Sequence, residues 1–402
     1  MPRTPILTPR LHLCRDEVSD TFGGDLTGHR RAGHAGREEV SVTFRSDVSR
    51  RRHTGRDKVS NTFDRGRGVR LGRRFALLAL VVLCGAAPAR AARVEEVGCI
   101  GNTVSDLDRA RDFYVRVLGF RADGEREEAG SDLEHRTGVF AARTRTARLV
   151  LGSECLELTE YLAQKGRPVP ADSRSNDRDF QHIAIVVSDM DRAYARLREA
   201  RVEHASSGPQ ELPAWNPSAG GIKAFYFRDP DRHVLEVIWF PPGKGAARWH
   251  RSGKDVPLTL GIDHTAVVVS DTEASLAFYR DRLGMPEAGH SENHGPEQER
   301  LNGVFGARLR ITQVRAPKGP GVELLEYLAP RDGRPYPLDA RGSDLFHWHV
   351  RMVSSEAPAL VSALRTARAS FVTLPGANAP SSTLLPLRVR DPDGHVLQLE
   401  TP

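Results

Sequence analysis

Three ionisable side chains interrupt apolar, β-branched runs of the sequence, where such groups are unusual. His264 opens one strand-like run, and His182 stands near the start of another, FQHIAIVV. Glu236 lies inside a third apolar run, VLEVIWF. A carboxylate buried there without a partner is costly, so Glu236 is expected to bind a ligand or to be paired. Each histidine has a simpler alternative, a hydrogen bond to the backbone.

The elements that carry these residues occur twice. Gly261 to Met285 has the pattern of a buried strand, a Ser-Asp N-cap and a helix that stops at glycine. Val97 to Phe120 repeats this pattern at an offset of 165 residues. Later motifs are also duplicated: LELTEYL with VELLEYL, GRPVP with GRPYP, and RDPDRHVLEV with RDPDGHVLQL. Two copies of one domain are therefore predicted. Their expected bounds are 94–243 and 260–402, with a linker at 244–259.

The basic character of the chain comes from its N-terminal region. The 402 residues carry a formal net charge of +6. Residues 1–68 hold 14 Lys and Arg against 9 Asp and Glu, and residues 69–91 add four Arg and no acid. The rest of the chain is left with a net charge of −3, so nucleic-acid binding is not expected. Residues 1–68 are poor in aliphatic side chains and are predicted to be disordered or untranslated.

A secretory signal peptide is predicted at residues 69–92. A basic lead, RLGRR, precedes the apolar run FALLALVVLC, and Ala-Arg-Ala supplies a small-x-small cleavage site. The run is short for a membrane span, so the mature protein is expected to be periplasmic or extracellular, with no stable span after cleavage. An uncleaved anchor is the alternative.

Each copy divides into two half-repeats with the pattern βαβββ. In the first copy, one half ends at LELTEYL, and the other runs from FQHIAIVV to the hairpin around Asp-Pro-Asp. Four such units in two pairs, with Val-Ser-Asp openings and Asp-Pro-Asp closings of the copies, resemble the vicinal oxygen chelate superfamily. This superfamily includes glyoxalase I, extradiol dioxygenases and bleomycin-binding proteins. The resemblance spans roughly residues 94–402. It implies an α+β fold, with tandem domains whose paired βαβββ units form a curved, cup-like mixed sheet.

The resemblance also implies a divalent metal in the cup, held by side chains from the first and last strands of two half-repeats. Two pairings of the halves are open. If each copy closes its own cup, the two sites are Cys99/Glu157/His182/Glu236 and His264/Glu323/His349/Gln398. If halves are exchanged between copies, one complete site and one degenerate site result: His182/Glu236/His264/Glu323 and Cys99/Glu157/His349/Gln398. The exchanged pairing is favoured, because it collects two imidazoles and two carboxylates, a set that suits Zn, Ni, Fe, Mn or Co.

One member of the degenerate set departs from the pattern. Aligning Phe180 with Phe346 places Trp348 opposite His182, so His349 is expected to lie one residue out of register.

Two further choices depend on the strands that the resemblance implies. Glu157 and Glu323 are preferred to Glu160 and Glu326 as ligands, because two-residue alternation places the latter pair on the opposite face. Cys99 lies on a strand that could pair with the strand of Cys155, which leaves either a disulfide or two buried thiols.

The function implied is a metal-dependent lyase or isomerase of the glyoxalase type. It would act on a small substrate with adjacent oxygens, with the metal stabilising an enediolate-like oxyanion and Glu236 or Glu323 transferring the proton. The alternatives are an extradiol-type dioxygenase using Fe(II) and a non-catalytic small-molecule binding protein of the same fold. A monomer with the architecture of a dimer is expected.

Overall fold

The computed structural model describes residues 92–372 and 385–402. The predicted extension at 1–68, and the predicted signal up to residue 91, lie outside this part of the chain. Across the described residues, no helix has both the length and the apolar character needed to cross a membrane.

The described elements form four successive units, which we call units I to IV. Unit I comprises β1 (Glu96–Val104), α1 (Leu107–Arg116), β2 (Arg121–Ala129), α2 (Ser131–Thr137), β3 (Arg143–Leu151) and β4 (Glu154–Tyr161). Unit II comprises β5 (Phe180–Val187), α3 (Met190–Glu199), β6 (Glu203–His204), β7 (Gln210–Glu211), β8 (Lys223–Arg228) and β9 (Val234–Trp239). Unit III comprises β10 (Thr259–Val269), α4 (Thr272–Tyr279), β11 (Glu287–His294), α5 (Pro296–Asn302), β12 (Arg308–Val314) and β13 (Gly321–Ala329). Unit IV comprises β14 (Trp348–Val353), α6 (Ala357–Thr366), β15 (Leu387–Arg390) and β16 (Val396–Glu400).

An aspartate marks the change from strand to helix in the first three units. The side chains of Asp106, Asp189 and Asp271 each accept a hydrogen bond from the backbone N–H three residues later, at 2.9, 2.9 and 3.0 Å. These bonds satisfy N–H groups that the first helical turn leaves without a partner. The Ser-Asp pairs of the sequence therefore end one element and begin the next, as predicted.

The described strands form two mixed sheets, and each sheet combines units from different copies. One has the order β15-β16-β14-β1-β4-β3-β2, and the other has the order β11-β12-β13-β10-β5-β9-β8-β6, with β7 paired to β8. Units I and IV therefore share one sheet, and units II and III share the other. Of the two pairings left open by the sequence, the chain adopts the exchanged one, and the α+β class is confirmed.

The cores follow the copies, whereas the sheets cross between them. One large apolar cluster is drawn mainly from units I and II, with Ile100, Leu149 and Phe225 among its fully buried members. The other is drawn mainly from units III and IV and includes Leu276 and Leu397. Helices α1 and α3 thus pack in the core of the first copy, and α4 and α6 in that of the second, while the strands of each copy complete a cup with the other copy.

The predicted register of His349 is wrong. His182 lies opposite Ala266 in the ladder between β5 and β10, and His349 lies opposite Gly101 in the ladder between β14 and β1. Ala266 and Gly101 are equivalent at the offset of 165 residues. His349 therefore occupies the same place in its sheet as His182, and Trp348 does not.

A β-bulge at Gln181 explains the error. The β5–β10 ladder shifts register here, because Phe180 lies opposite Val267 while the next residue to pair is two positions later. In the other sheet, Trp348 lies opposite Asn102 without such a shift. Phe180 is thus equivalent to Trp348, and their rings stack with centroids 4.4 Å apart. A single extra residue, Gln181, was enough to mislead the alignment.

Candidate metal centre

The four residues of the complete set lie on adjacent strands, β13, β10, β5 and β9, of one sheet. In this order they are Glu323, His264, His182 and Glu236. Ala266 separates Glu323 from His182 in the ladders, and Ala184 separates His264 from Glu236. The two small side chains leave room for the longer ones, which meet inside the curve of the sheet.

The donor atoms of this set lie at the spacing of metal ligands. His182 Nε2 is 3.1 Å from Glu236 Oε2, and His264 Nε2 is 3.5 Å from the same oxygen. Glu323 Oε2 is 3.3 Å from His264 Nε2. Metal–ligand bonds of about 2.0–2.2 Å place neighbouring ligand atoms about 3.0–3.6 Å apart. The donor atoms of His182, Glu236 and His264 all lie within 4.8 Å of one another, as the ligands of one ion would, and Glu323 adjoins this group through His264.

Two of these atoms are buried without a hydrogen bond. Neither His182 Nε2 nor Glu236 Oε2 has a hydrogen-bond partner among the described residues, although both residues are below 5% exposed. Buried polar atoms in this condition call for an explanation, and a role as metal ligands is one. Because two imidazoles and two carboxylates also suit a divalent cation chemically, the residues present fit a metal.

The electrostatics of the cup are those of a cation site. Burial alone would raise the pKa of Glu236, but His182 and His264 outweigh it and lower the pKa to about 2. Burial alone would lower the pKa of His264, yet Glu323, Asp263 and Glu236 together raise it well above its usual value. The carboxylates thus stabilise positive charge at the point where the donor atoms converge.

Asp263 orients the imidazole of His264. Its carboxylate accepts a hydrogen bond from His264 Nδ1 at 3.0 Å, which turns Nε2 towards the cup, where a metal would take the place of its proton. Trp249 Nε1 donates to Asp263 at 2.8 Å, and Arg315 Nη2 donates at 2.7 Å. Burial would raise the pKa of Asp263, but His264 and Arg315 lower it well below its usual range. Trp249 comes from the predicted linker, where Ala247–Trp249 forms a 3₁₀ turn.

The bulged residue Gln181 orients the other imidazole. Gln181 Oε1 lies within hydrogen-bond distance of His182 Nδ1, so the Nδ1–H donates there and Nε2 faces Glu236. The Tyr226 ring packs against that of His182, with centroids 4.9 Å apart. Burial, Glu236 and Glu323 raise the pKa of Tyr226 well above its usual value, so its hydroxyl stays protonated.

Glu323 is the member of the set that faces open space. Its side chain is 19% exposed, against 5% for Glu236, and it lines a cavity of about 630 Å³ together with His264. Gln313 Nε2 donates to Glu323 Oε1 at 3.4 Å. Burial raises the pKa of Glu323, and repulsion from Glu236 opposes the lowering effect of His264. Two carboxylates in one site are therefore held in different environments.

Glu326 and Glu160, the two glutamates not preferred as ligands, contact helices instead. Glu326 Oε2 accepts a hydrogen bond from the hydroxyl of Thr272, at the start of α4, at 2.7 Å. Glu160 makes the equivalent contact in unit I, with the N–H of Leu107 at 3.2 Å. Both glutamates hold helices on the outer face of their sheets, as the alternation of strand side chains requires.

Several orienting residues escaped the sequence prediction: Gln181, Trp249, Asp263 and Arg315. Asp263 had a local signal, since it directly precedes His264 in an otherwise apolar strand. The other three act through the bulge, the linker and a neighbouring strand, so their proximity depends on tertiary structure.

The degenerate set is occupied by other interactions. Cys99, at the position of His264, forms a disulfide with Cys155, with a Cα–Cα distance of 4.6 Å, so the open choice between disulfide and thiols is settled. Arg126 Nη1 donates to Glu157 Oε1 at 3.2 Å. Gln398 Oε1 accepts from Arg388 Nε at 3.1 Å. These contacts remove a sulfur ligand and neutralise the carboxylate that a metal would need.

The family model of the Glyoxalase/Bleomycin resistance protein/Dioxygenase superfamily matches residues 97–237 and 261–399. The chain therefore belongs to this superfamily, as the duplicated motifs predicted. Both matches fall within the predicted copies of the domain.

Individual relatives are more distant. A protein named 2-epi-5-epi-valiolone epimerase, from Actinomyces sp, is 34% identical over 149 residues, which cover 36% of this chain and 79% of that protein. The solved structure of glyoxalase I from Zea mays is 17% identical, covers 77% of this chain and 92% of its own, and has a TM-score of 0.45. A glyoxylase/bleomycin resistance protein/dioxygenase domain from Frankia sp. is 22% identical over 36% of this chain and 90% of its own, with a TM-score of 0.26.

Proposed function

We propose that the protein is a metal-dependent isomerase or lyase that moves a proton on a small substrate with adjacent oxygens. The observation that carries this proposal is the convergence of His182, Glu236 and His264, with Glu323 3.3 Å from His264 at the edge of a cavity of about 630 Å³. A divalent ion in this set supplies Lewis-acid polarisation of two neighbouring substrate oxygens and stabilises the charge that develops on them.

Glu323 is proposed as the group that takes and returns the proton. It lines the cavity and is more exposed than Glu236, which lies deeper between two histidines. A base must reach the proton that it removes, and only one of the two carboxylates borders the space that a substrate would fill. Glu236 is therefore assigned a purely ligating role.

The cavity wall supports a small, partly polar substrate. Ile222, Ile238, Phe240 and Ile311 supply apolar surface, which excludes water from the reacting atoms. Arg315 also lines this cavity and is held by Asp263, so it can orient a hydroxyl or carbonyl of the substrate. The named activity of the Actinomyces relative, an epimerase, is of the same general kind.

Solvent deuterium incorporation tests this proposal. Small hydroxyketones, with 2-epi-5-epi-valiolone among them, would be incubated with the metal-loaded protein in D₂O and followed by NMR. We expect exchange at a carbon next to the carbonyl for at least one substrate, and its loss by about 10²-fold or more in Glu323→Gln. Glu326→Gln, on the outer face, is the matched control. Exchange that persists in Glu323→Gln contradicts the assigned role.

A second function is favoured by one specific feature. His182, His264 and Glu236 form a group whose donor atoms all lie within 4.8 Å of one another, which is the composition of a two-histidine, one-carboxylate iron site. An extradiol-type dioxygenase is therefore the second candidate. Oxygen consumption with catechols under Fe(II) loading would support the dioxygenase. Proton exchange on a hydroxyketone with Zn²⁺ or Ni²⁺ as the only metal would exclude it.

We also propose that the mature chain is exported. The predicted signal at residues 69–92 supports this, and so does the Cys99–Cys155 disulfide, because disulfides persist mainly in oxidising compartments. N-terminal sequencing of the protein from its native host tests it. A mature chain that starts near residue 92 is expected, and a start well before Ala89 would contradict export by cleavage.

A further inference from the structure

We propose that the degenerate cup is a binding site for a small organic anion, a carboxylate or a phosphate ester. This cup is the cavity of about 310 Å³ in the sheet shared by units I and IV. The proposal is independent of the metal centre, which lies in the other sheet.

The charge of the cup has the opposite sign from that of the metal centre. Its described lining includes four arginines and three glutamates: Arg126, Arg136, Arg351 and Arg388, with Glu128, Glu157 and Glu400. The glutamates contact three of the arginines, at 2.8 Å between Arg136 and Glu128 and at 3.2 Å between Arg126 and Glu157. The excess of guanidinium groups opposes a divalent cation and favours an anion.

The substitutions between the two cups occur at equivalent positions. Arg388 lies opposite Gln398 in its ladder, as Tyr226 lies opposite Glu236 in the other sheet. Arginine has thus replaced tyrosine, and a neutral amide has replaced the carboxylate at the base of the metal centre. Each change moves the local charge in the positive direction.

The same trend holds two residues from His349. Arg351 lies opposite Gln398, as Ala184 lies opposite Glu236. A guanidinium therefore stands where the metal cup has a methyl group, and Arg351 Nε is held by Glu400 at 2.8 Å. At one matched position the change has the opposite sign, since Glu400 stands where the metal cup has Ile238 and pairs with Arg351. The three other replacements leave the degenerate cup more positive than the metal centre.

A buried polar atom in this cup remains without a partner. His349, which is 6% exposed, receives a hydrogen bond from Arg388 Nη2 at Nε2, at 3.2 Å, so its Nδ1 carries the proton. That Nδ1 has no hydrogen-bond partner among the described residues. Burial and the nearby Arg388 lower the pKa of His349 well below its usual value, so the imidazole is a neutral donor. His349 lines the cavity as a neutral ring fixed by Arg388, so it adds no positive charge of its own and positions the guanidinium in the cup.

Hydroxyl groups complete the lining. Thr144, Thr146, Thr159 and Tyr161 all border the cavity, and the hydroxyls of Thr146 and Thr159 are 3.0 Å apart. Hydroxyls and guanidiniums together match a ligand with several terminal oxygens, such as a carboxylate or a phosphate. The volume admits a small organic molecule.

Isothermal titration calorimetry of the full-length protein tests this inference. Succinate and inorganic phosphate would be the two probes, with sodium chloride used to hold the ionic strength constant. We expect saturable binding of one molecule per chain for at least one probe, and the stronger probe shows which anion class the cup prefers. Loss of a charged hydrogen bond predicts that Arg388→Gln binds about 10-fold to 100-fold more weakly.

Two further variants make the result decisive. Arg136→Gln, on the opposite wall, is expected to weaken binding too, and it decides the question if Arg388→Gln fails to fold. His264→Ala, in the metal centre, is expected to leave anion binding unchanged. Heats of dilution alone for both probes would overturn the inference, and so would binding that is lost in His264→Ala or retained in both arginine variants.

Discussion

At the scale of single residues, the two cups show how a few side chains separate different chemistries on one scaffold. His182 and His349 occupy equivalent places in their sheets, yet one faces carboxylates and the other faces Arg388. The proton therefore sits on Nδ1 in both rings for different reasons. At His182, the Nδ1 proton is held by a hydrogen bond to Gln181. At His349, Nε2 accepts a hydrogen bond from Arg388, so the proton of the neutral ring is on Nδ1.

Asp263 provides a first prediction at this scale. It fixes the tautomer of His264 and increases the basicity of Nε2, and the loss of such an orienting carboxylate weakens metal binding roughly 10-fold to 100-fold. Asp263→Asn is expected to show this loss in a competition with a fluorescent zinc chelator. The control is Asp281→Asn, which removes an exposed carboxylate paired only with Arg280 among the described residues. Equal zinc affinity in both variants would contradict the orienting role.

At the scale of elements, the hairpin turn after Asp-Pro-Asp fastens the last strands of a copy to its first helix. Asp391 accepts hydrogen bonds from His395 Nδ1 at 2.8 Å and from the Tyr279 hydroxyl at 3.0 Å. The first copy repeats this arrangement with Asp229, His233 and Tyr114. The duplicated motif is therefore explained by stability, because the aspartate is buried and its partners lie on two elements.

The turn predicts a specific pH dependence of stability. Burial lowers the pKa of His395, but Asp391 outweighs burial, so this pKa is raised overall. Burial raises the pKa of Asp391, but His395 outweighs burial, so this pKa is lowered overall. The contribution of His395 is complete below its unfolded pKa of about 6.5 and is lost as the pH rises through the raised folded value. The contribution of Asp391 is present above about pH 3.9 and is lost as the pH falls through the lowered folded value.

Urea unfolding between pH 5 and 9 checks this pair. His395→Gln is expected to be less stable than the wild type, with a difference that is largest near the acidic end and narrows towards the alkaline end. His290→Gln, at an exposed position, is the control and is expected to show no such trend. A difference that grows with pH would contradict the assigned charge on His395.

Elements that depend on short sequence motifs could be predicted, whereas features that depend on tertiary contacts could not. The capped helices and the βαβββ order of the first three units follow from short motifs, as do the Asp-Pro-Asp hairpins, and the structure contains them. In unit IV the described residues show two strands after the helix, β15 and β16. The register of β14 did not follow, because the bulge at Gln181 inserts one residue without changing the apolar pattern around it. Likewise, no sequence motif predicts the hydrogen bond between Trp249 and Asp263, because this contact depends on tertiary structure.

At the scale of the whole molecule, exchange of strands between the copies accounts for the unequal cups. Each cup takes one unit from each copy, so substitutions in units I and IV alter one cup and leave the other intact. A symmetric dimer of single domains cannot diverge in this way, because each change would appear at both sites. Fusion of the copies is therefore what permits the two cups to carry different side chains, as the two proposed sites require.

The same architecture predicts a monomer. Both sheets are completed within one chain, and the edge strand β2 is exposed and rich in charged side chains, which discourages pairing with another copy. Light scattering of the purified protein is expected to give the mass of one chain across the micromolar range. A stable dimer would contradict this prediction, and it would show that two chains associate through a surface that the strand pairing within one chain leaves free.

The metal content of matched histidine variants tests the central claim most directly. Plasma mass spectrometry of the purified protein is expected to find about one divalent metal ion per chain, lost in His182→Ala and in His264→Ala. His349→Ala, at the equivalent position of the other cup, is expected to keep the full amount. Metal that is absent from the wild type under metal-replete conditions, or lost equally in His349→Ala, would contradict a single centre at His182, Glu236, His264 and Glu323.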